Sequence, residues 1–170
     1  MRTDREPSSS WCRATLEQID DLKREGVRGG VIIDYVVRRL VEYNVHSAML
    51  EKSLSERILK MPTDLIARIS YVADMAAKRW GIKTPALLSK SKDKLTAAAR
   101  HYGVWASRMA MPEAALVDIG AVFYRDHSTV LHAINKIDER RHRDPVFKSD
   151  TDAFLARVKA DLDSGTWSVL

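Results

Sequence analysis

One run, residues 116–137, constrains the chain more than any other. Leu116, Ile119, Val122 and Phe123 recur at helical intervals and give a short first helix one apolar face. Tyr124 and Arg125 carry no such period. Asp126 then offers a side-chain acceptor where a new helix has orphan N–H groups to cap, with Ser128 and Thr129 inside its first turn. In that second helix Val130, Ile134 and Ile137 fall at i, i+4 and i+7, a stripe that can be buried only if His127 and Ser128 face outward. The segment therefore reads as helix, tight turn, helix, with short polar side chains at the outward N-terminus of the second helix.

That is how a helix-turn-helix presents itself to a DNA major groove. The free N–H groups and dipole of a helix N-terminus favour a nearby phosphate. A hydroxyl can donate to or accept from a base edge, a threonine methyl can lie on a thymine methyl, and an imidazole can donate to either base or phosphate. The same Asp126, Ser128 and Thr129 would serve equally as the ordinary cap of a surface helix.

The string Arg125-Asp126-His127-Ser128-Thr129-Val130-Leu131-His132-Ala133, preceded by Ile119-Gly120 and Phe123 and followed by Lys136-Ile137, resembles the signature of the C-terminal DNA-binding domain of the bacterial replication initiator DnaA. The similarity runs back, more weakly, through residues 72–80, Gly81-Ile82-Lys83, Leu87-Leu88-Ser89-Lys90 and Ala99-Arg100, so that it spans residues 63–147. The resemblance implies an all-α, Trp-repressor-like module that reads DnaA-box sequences in double-stranded DNA. It implies Asp126, His127, Ser128 and Thr129 as the base-reading or helix-positioning set, with Ser128 where the family usually has threonine. It also implies Lys90, Lys92, Lys94, Arg100, Arg125 and Lys136 as contacts to the DNA backbone or minor groove. Three positions depart from the family pattern. Tyr124 stands where the family often has two glycines, Val117 replaces a frequent proline, and the basic stretch between Lys90 and Arg100 has an altered length. A sequence preference different from the usual DnaA box is expected.

Charge agrees with a polyanionic partner. The formal net charge is +5, from 28 Lys and Arg against 23 Asp and Glu, and the sequence pI is about 9.4. Its distribution is more telling: Lys78, Arg79, Lys83, Lys90, Lys92, Lys94 and Arg100 are opposed within their stretch by Asp93 alone, while the tail after Ser149 is acidic. A patch of this kind releases condensed counterions when it meets phosphates, so binding should weaken steeply with salt.

Three segments are expected. Residues 61–148 form the DNA-binding domain. A helix opens at Pro62-Thr63-Asp64, carries Leu65, Ile69, Val72 and Ala76 on one face, and ends at a left-handed Gly81. Thr84 as N-cap with Pro85 behind it starts a short helix. After the basic stretch, Leu95, Ala98, Ala99, Tyr102, Trp105, Ala106 and Met109 mark a longer helix that stops near Pro112. Trp80 and Trp105 share a helical period with their neighbours and read as core. Residues 1–60 form an N-terminal helical extension: a polar, unstructured start over 1–10, a short helix over 16–25 broken at Gly26 and Gly29-Gly30, and a helix over 31–60 with a candidate break near Asn44. Its stripe of Val37, Leu40, Val41, Val45, Leu50, Leu54 and Ile58 needs a covering surface, either the DNA-binding domain itself or a second copy in a homodimer joined through residues 31–60. Residues 149–170 supply a last helix, entered through Asp144-Pro145 and packed by Phe147, Phe154, Leu155, Val158 and Leu162, and a loose end.

Other function classes fare poorly. Cys12 is the single cysteine, so one chain can build neither a disulfide framework nor a cysteine-based metal site. No leader and no long apolar segment is visible, so membrane insertion is not expected and a cytoplasmic, nucleoid-associated location is. The phosphate-loop pattern is missing, since Gly26-Val27-Arg28-Gly29-Gly30 lacks the lysine and hydroxyl that such a loop requires. The chain is thus expected to be no enzyme, to need no cofactor or metal, and to act on replication initiation without an ATPase of its own. Two alternatives stand beside that reading: a transcriptional regulator with the same module, and an interaction protein whose N-terminal helices contact a replication or transcription component.

Overall fold

The computed structural model describes residues 9–26, 29–165 and 167; of the helical side chains, those of residues 9–13, 29–34, 37 and 40–44 lie outside the description. The expected unstructured start therefore falls outside the described residues up to residue 8, as do the stripe side chains of Val37, Leu40 and Val41. Among the described residues the chain is all α, in the order α1 Ser9–Arg24, α2 Gly29–Lys60, α3 Thr63–Arg79, α4 Thr84–Leu88, α5 Lys94–Ala110, α6 Leu116–Val122, α7 His127–Arg143 and α8 Pro145–Asp163. Two compact units meet between Lys52 and Ser53, within α2. No helix of the described residues is long and apolar enough to cross a membrane.

The first unit holds α1 and most of α2. α1 starts at Ser9, earlier than expected, and α2 runs without interruption through Asn44 and includes Gly29-Gly30. A helix this long draws on every backbone hydrogen bond along its length, so two N-terminal glycines and one asparagine, each costing about 1 kcal/mol or less, do not break it. Tyr35 Oη donates to Gln18 Oε1 at 3.4 Å and links the two helices.

The second unit is built around α5. Nine of its residues are buried, so it is enclosed by neighbours on nearly every side, with α3 and α7 as its main partners. Trp105, Tyr102, Phe123, Ile69, Leu87, Met111, Ile119, Val72, Val104, Val130 and Val158 are among the large side chains fully withdrawn from water. Tyr102 is the hub of the aromatic contacts: Phe154 meets it edge-on at 5.0 Å, Trp80 at 5.9 Å and Phe147 at 6.1 Å. α8 is thereby part of this core, and the expected border at residue 148 falls inside it. Asp144 makes the corner between α7 and α8 by accepting the Phe147 N–H at 2.9 Å, and Pro145 follows at the first helical position, where no donor is needed. The N-terminal border of this unit also lies earlier than residue 61, because Leu54 is buried with Met61.

α3 and α4 begin as the sequence predicts to within a residue, with one change of role. Lys83, not Thr84, is the N-cap of α4. Thr84 is the first helical residue, and its Oγ1 donates to Asp74 Oδ1 at 2.8 Å, a charge-assisted bond that joins α4 to α3.

Candidate nucleic-acid interface

The helix-turn-helix is α6, the corner 123–126, and α7. Phe123 closes α6, the Tyr124 N–H donates to Ala121 O at 3.2 Å, and the Arg125 N–H donates to Gly120 O at 2.8 Å. This paired 5→2 and 6→1 pattern is a Schellman motif, whose penultimate position must be left-handed. Tyr124 takes that position with φ 53°, the one non-glycine residue with positive φ among the described residues. The corner is tight enough that a Cβ on Gly120 would overlap the Arg125 carbonyl oxygen and sit 3.3 Å from Val130 Cγ2. Asp118, buried in α6, is held by Arg57 Nε at 2.5 Å, which ties the first helix of the motif to the end of α2.

Asp126 then starts α7. Its Oδ1 accepts the Thr129 N–H at 2.7 Å and the Ser128 hydroxyl at 2.5 Å, and its Oδ2 accepts the Thr129 hydroxyl at 3.1 Å. Burial alone would push this carboxyl up, but the bonds from Ser128 and Thr129 outweigh it and hold it below the usual carboxylate value. Asp126 is thus committed to capping. Both hydroxyls spend their protons on it and turn lone pairs elsewhere. His127 and Ser128 are exposed at the tip and Thr129 is half-buried. The outward face continues along α7 through Leu131, His132, Asn135 and Lys136, all exposed. Beyond the first turn the sequence points only to Lys136 and misses Leu131, His132 and Asn135, although their spacing from His127 puts them on its side of the helix.

The basic set divides. Lys90 and Lys92 lie exposed on the loop 89–93, and Lys94 lies exposed at the start of α5, which Asp93 caps through the Thr96 N–H at 3.0 Å. Arg100, expected on the phosphate side, is 6% exposed. Its Nε donates to Leu87 O at 2.7 Å, and its Nη2 to Ser89 O at 2.8 Å and Ser91 O at 3.1 Å. That is a correction of place: α5 begins at Lys94, so Arg100 belongs to a buried helix face and reaches the loop from beneath. Burial, helped by repulsion from Arg125, lowers its pKa to about 10, so it stays charged at neutral pH. Arg125 is half-buried, with Nη1 on its own Tyr124 carbonyl at 2.7 Å and Nη2 on Ser89 O at 2.6 Å.

Arg100, His101, Arg125, Thr129 and Val130 line a small pocket beneath the tip. His101, drawn down to about 4 by burial and then by Lys136, His132, Arg100 and Arg125, is neutral there. Its ring meets that of His132 edge-on at 6.1 Å. No group of three or more His, Cys, Asp or Glu among the described residues is placed to hold a metal ion.

Comparison with known proteins follows this geometry closely. The pattern of the bacterial DnaA protein helix-turn-helix matches residues 69–137, from the middle of α3 to beyond the middle of α7. This segment is a DnaA helix-turn-helix domain. The chain is 30% identical over 92 residues to the chromosomal replication initiator protein DnaA of Caulobacter sp. (strain K31), covering 54% of this chain and 19% of that protein. Against the DnaA of Nitrosospira multiformis it is 30% identical over 131 residues, covering 72% of this chain and 27% of that one. Against that of Aquifex aeolicus it is 30% identical over 82 residues, covering 48% and 20%. The chain thus spans about a fifth to a quarter of these relatives' length. A crystal structure described as a DNA replication initiation factor superposes with a TM-score of 0.54 at 22% identity, over 86% of this chain and 46% of that one, and so shares the fold.

Proposed function

We propose that the chain binds double-stranded DNA with sequence preference, that the N-terminal tip of α7 enters the major groove, and that this binding serves the control of replication initiation at DnaA-box-type sites. The observation that carries the reading is the exposed His127-Ser128 tip on a helix anchored by Asp126, inside the segment that matches the DnaA helix-turn-helix. A tip fixed by its cap presents its imidazole and hydroxyl oxygens in one orientation, which base reading requires. His127, Ser128 and Thr129 read, Asp126 orients them, and Lys90, Lys92, Lys94 and Lys136 neutralise phosphates. Exposed Val45 and Met49, one turn apart on α2, support pairing of two copies through residues 31–60.

Selection from random duplexes followed by sequencing tests this directly. An enriched DnaA-box-like site supports replication control, whereas an unrelated palindrome moves the role to transcription. On the enriched duplex, His127→Ala should cost roughly 1–3 kcal/mol while binding to random duplex changes little. Equal loss on both would remove the tip from base reading.

A further inference from the structure

Two arginines from different helical elements meet on one backbone oxygen. Ser89 O accepts from Arg100 Nη2 on α5 and from Arg125 Nη2 in the corner before α7. Arg100 also holds the carbonyls of Leu87 and Ser91, so the oxygens of residues 87, 89 and 91 all turn inward, and the intervening Lys90 and Lys92 lie exposed. Bringing two guanidinium groups together out of water is unfavourable, and here neutral backbone carbonyls hold them, with no carboxylate bonded to either group among the described residues.

We infer that Arg125 and Arg100 are positioning residues, not phosphate ligands: they lock the lysine-bearing loop 89–93 to the corner before α7, so that loop and tip meet DNA as one rigid reader. The inference rests on the DNA-binding reading above and adds a coupling to it. A loop joined through Ser89 O to the residue preceding Asp126 cannot shift along the duplex independently of the α7 tip, so the groove contacts of Lys90 and Lys92 fall in a fixed register with those of His127 and Ser128. The fork of Arg125 is what does this, one nitrogen on Tyr124 O and the other on Ser89 O. A lysine keeps the charge and cannot span both oxygens.

The test uses the full chain and Arg125→Lys. In the free protein, amide hydrogen exchange over residues 89–93 should quicken by about tenfold in Arg125→Lys while α8 is unchanged. On the duplex enriched by selection, the Lys90→Ala/Lys92→Ala pair should weaken binding by roughly tenfold in the parent chain and by less than about twofold in Arg125→Lys, a non-additivity that a charge lost from the surface does not produce. Unchanged loop exchange in Arg125→Lys, or a lysine-pair loss equal in both backgrounds, overturns the inference and returns Arg125 to the role of a simple cation. Should Arg125→Lys melt below the assay temperature, Arg125→Gln carries the same comparison. If the parent chain binds no duplex at all, the DNA-binding reading fails, and the exchange measurement still decides whether the loop is held.

Discussion

The chain turns the same corner twice, once after α3 and once after α6, and does so with different residues. After α3, Gly81 N–H donates to Lys78 O and Ile82 N–H to Ala77 O; after α6, Tyr124 N–H donates to Ala121 O and Arg125 N–H to Gly120 O. The hydrogen-bond pattern is identical and both pivots are left-handed, Gly81 at φ 65° and Tyr124 at φ 53°. A Cβ at Gly81 would meet nothing within 4 Å, so that corner needs only the backbone freedom of glycine. The second corner has moved its glycine four residues back in the helix, to Gly120, where the need is space: the Arg125 carbonyl lies against the Cα. The pivot is left to a tyrosine, at a cost of about 1–2 kcal/mol. The corner that aims the proposed reading helix is the strained one, and strain gathers where a structure must hold a specific direction.

Adding a methyl to Gly120 should break the second corner outright. Because the obstacle is backbone oxygen and not the end of a flexible side chain, Gly120→Ala should destabilise the second unit by roughly 3 kcal/mol and abolish duplex preference at temperatures where the chain is still folded. Thermal melting and binding to the selected duplex check both halves. A melting point within a degree or so of the parent would show that the corner relaxes, and the contrast with Gly81 would lose its basis.

Next in size is an effect of pH confined to the same corner. His101 shares a pocket with Arg125 and Thr129, and the cations facing it are Arg100, Arg125 and Lys136, with His132 alongside. Its ordinary value is 6.5 and its folded value about 4, so the folded chain binds fewer protons between them. Stability is therefore full above about pH 6.5 and falls as the pH is lowered through that window, by roughly 1–2 kcal/mol once the half-exposure of the ring is allowed for. Carboxylates held low, such as Asp126, contribute their loss only below their ordinary 3.8. His101→Gln should flatten the melting temperature between pH 6.5 and 4.5, and an unchanged slope would place the titration elsewhere.

The two corners also mark what was legible in the sequence. Gly81 after a run of helical apolar spacing announces its own turn, and Asp126 before Ser128 and Thr129 announces its own cap, because each acts within four residues. The short first helix, the start of α8 at Asp144-Pro145 and the exposed His127-Ser128 tip were readable for the same reason. Arg100 was not. Its partners are carbonyl oxygens 9 to 13 residues away, and no periodicity distinguishes an arginine that reaches under a loop from one that faces solvent. Thr84 answered to Asp74 across two helices, and Arg57 to Asp118 across 61 positions. Local capping is written in the sequence, whereas the partner of a long polar side chain is decided by packing.

A substitution at Gly81 calibrates the comparison. With open space around it, Gly81→Ala meets only the left-handed penalty and should cost about 1 kcal/mol, without altering duplex preference, since α3 ends away from the α7 tip in sequence and no bond joins Gly81 to the corner 123–126 among those described. A loss as large as that of Gly120→Ala would mean that both corners are limited by space.

The smallest effect has the opposite sign and is the most discriminating. Tyr124→Gly removes the left-handed strain, worth about 1–2 kcal/mol, and gives back about 0.5–1 kcal/mol through the greater freedom of glycine in the unfolded chain. Tyr124 is 48% exposed, so the covered half of its ring is also lost. The net should be a gain of about 0.5 kcal/mol, read as a rise of roughly 1–2 °C in melting temperature. If stability instead falls, the ring contributes more than the strain removes, and tyrosine is held at the pivot by packing. If stability rises while duplex preference fades, the tyrosine serves the direction of α7 at the expense of the fold, which is the trade that separates this corner from its counterpart after α3.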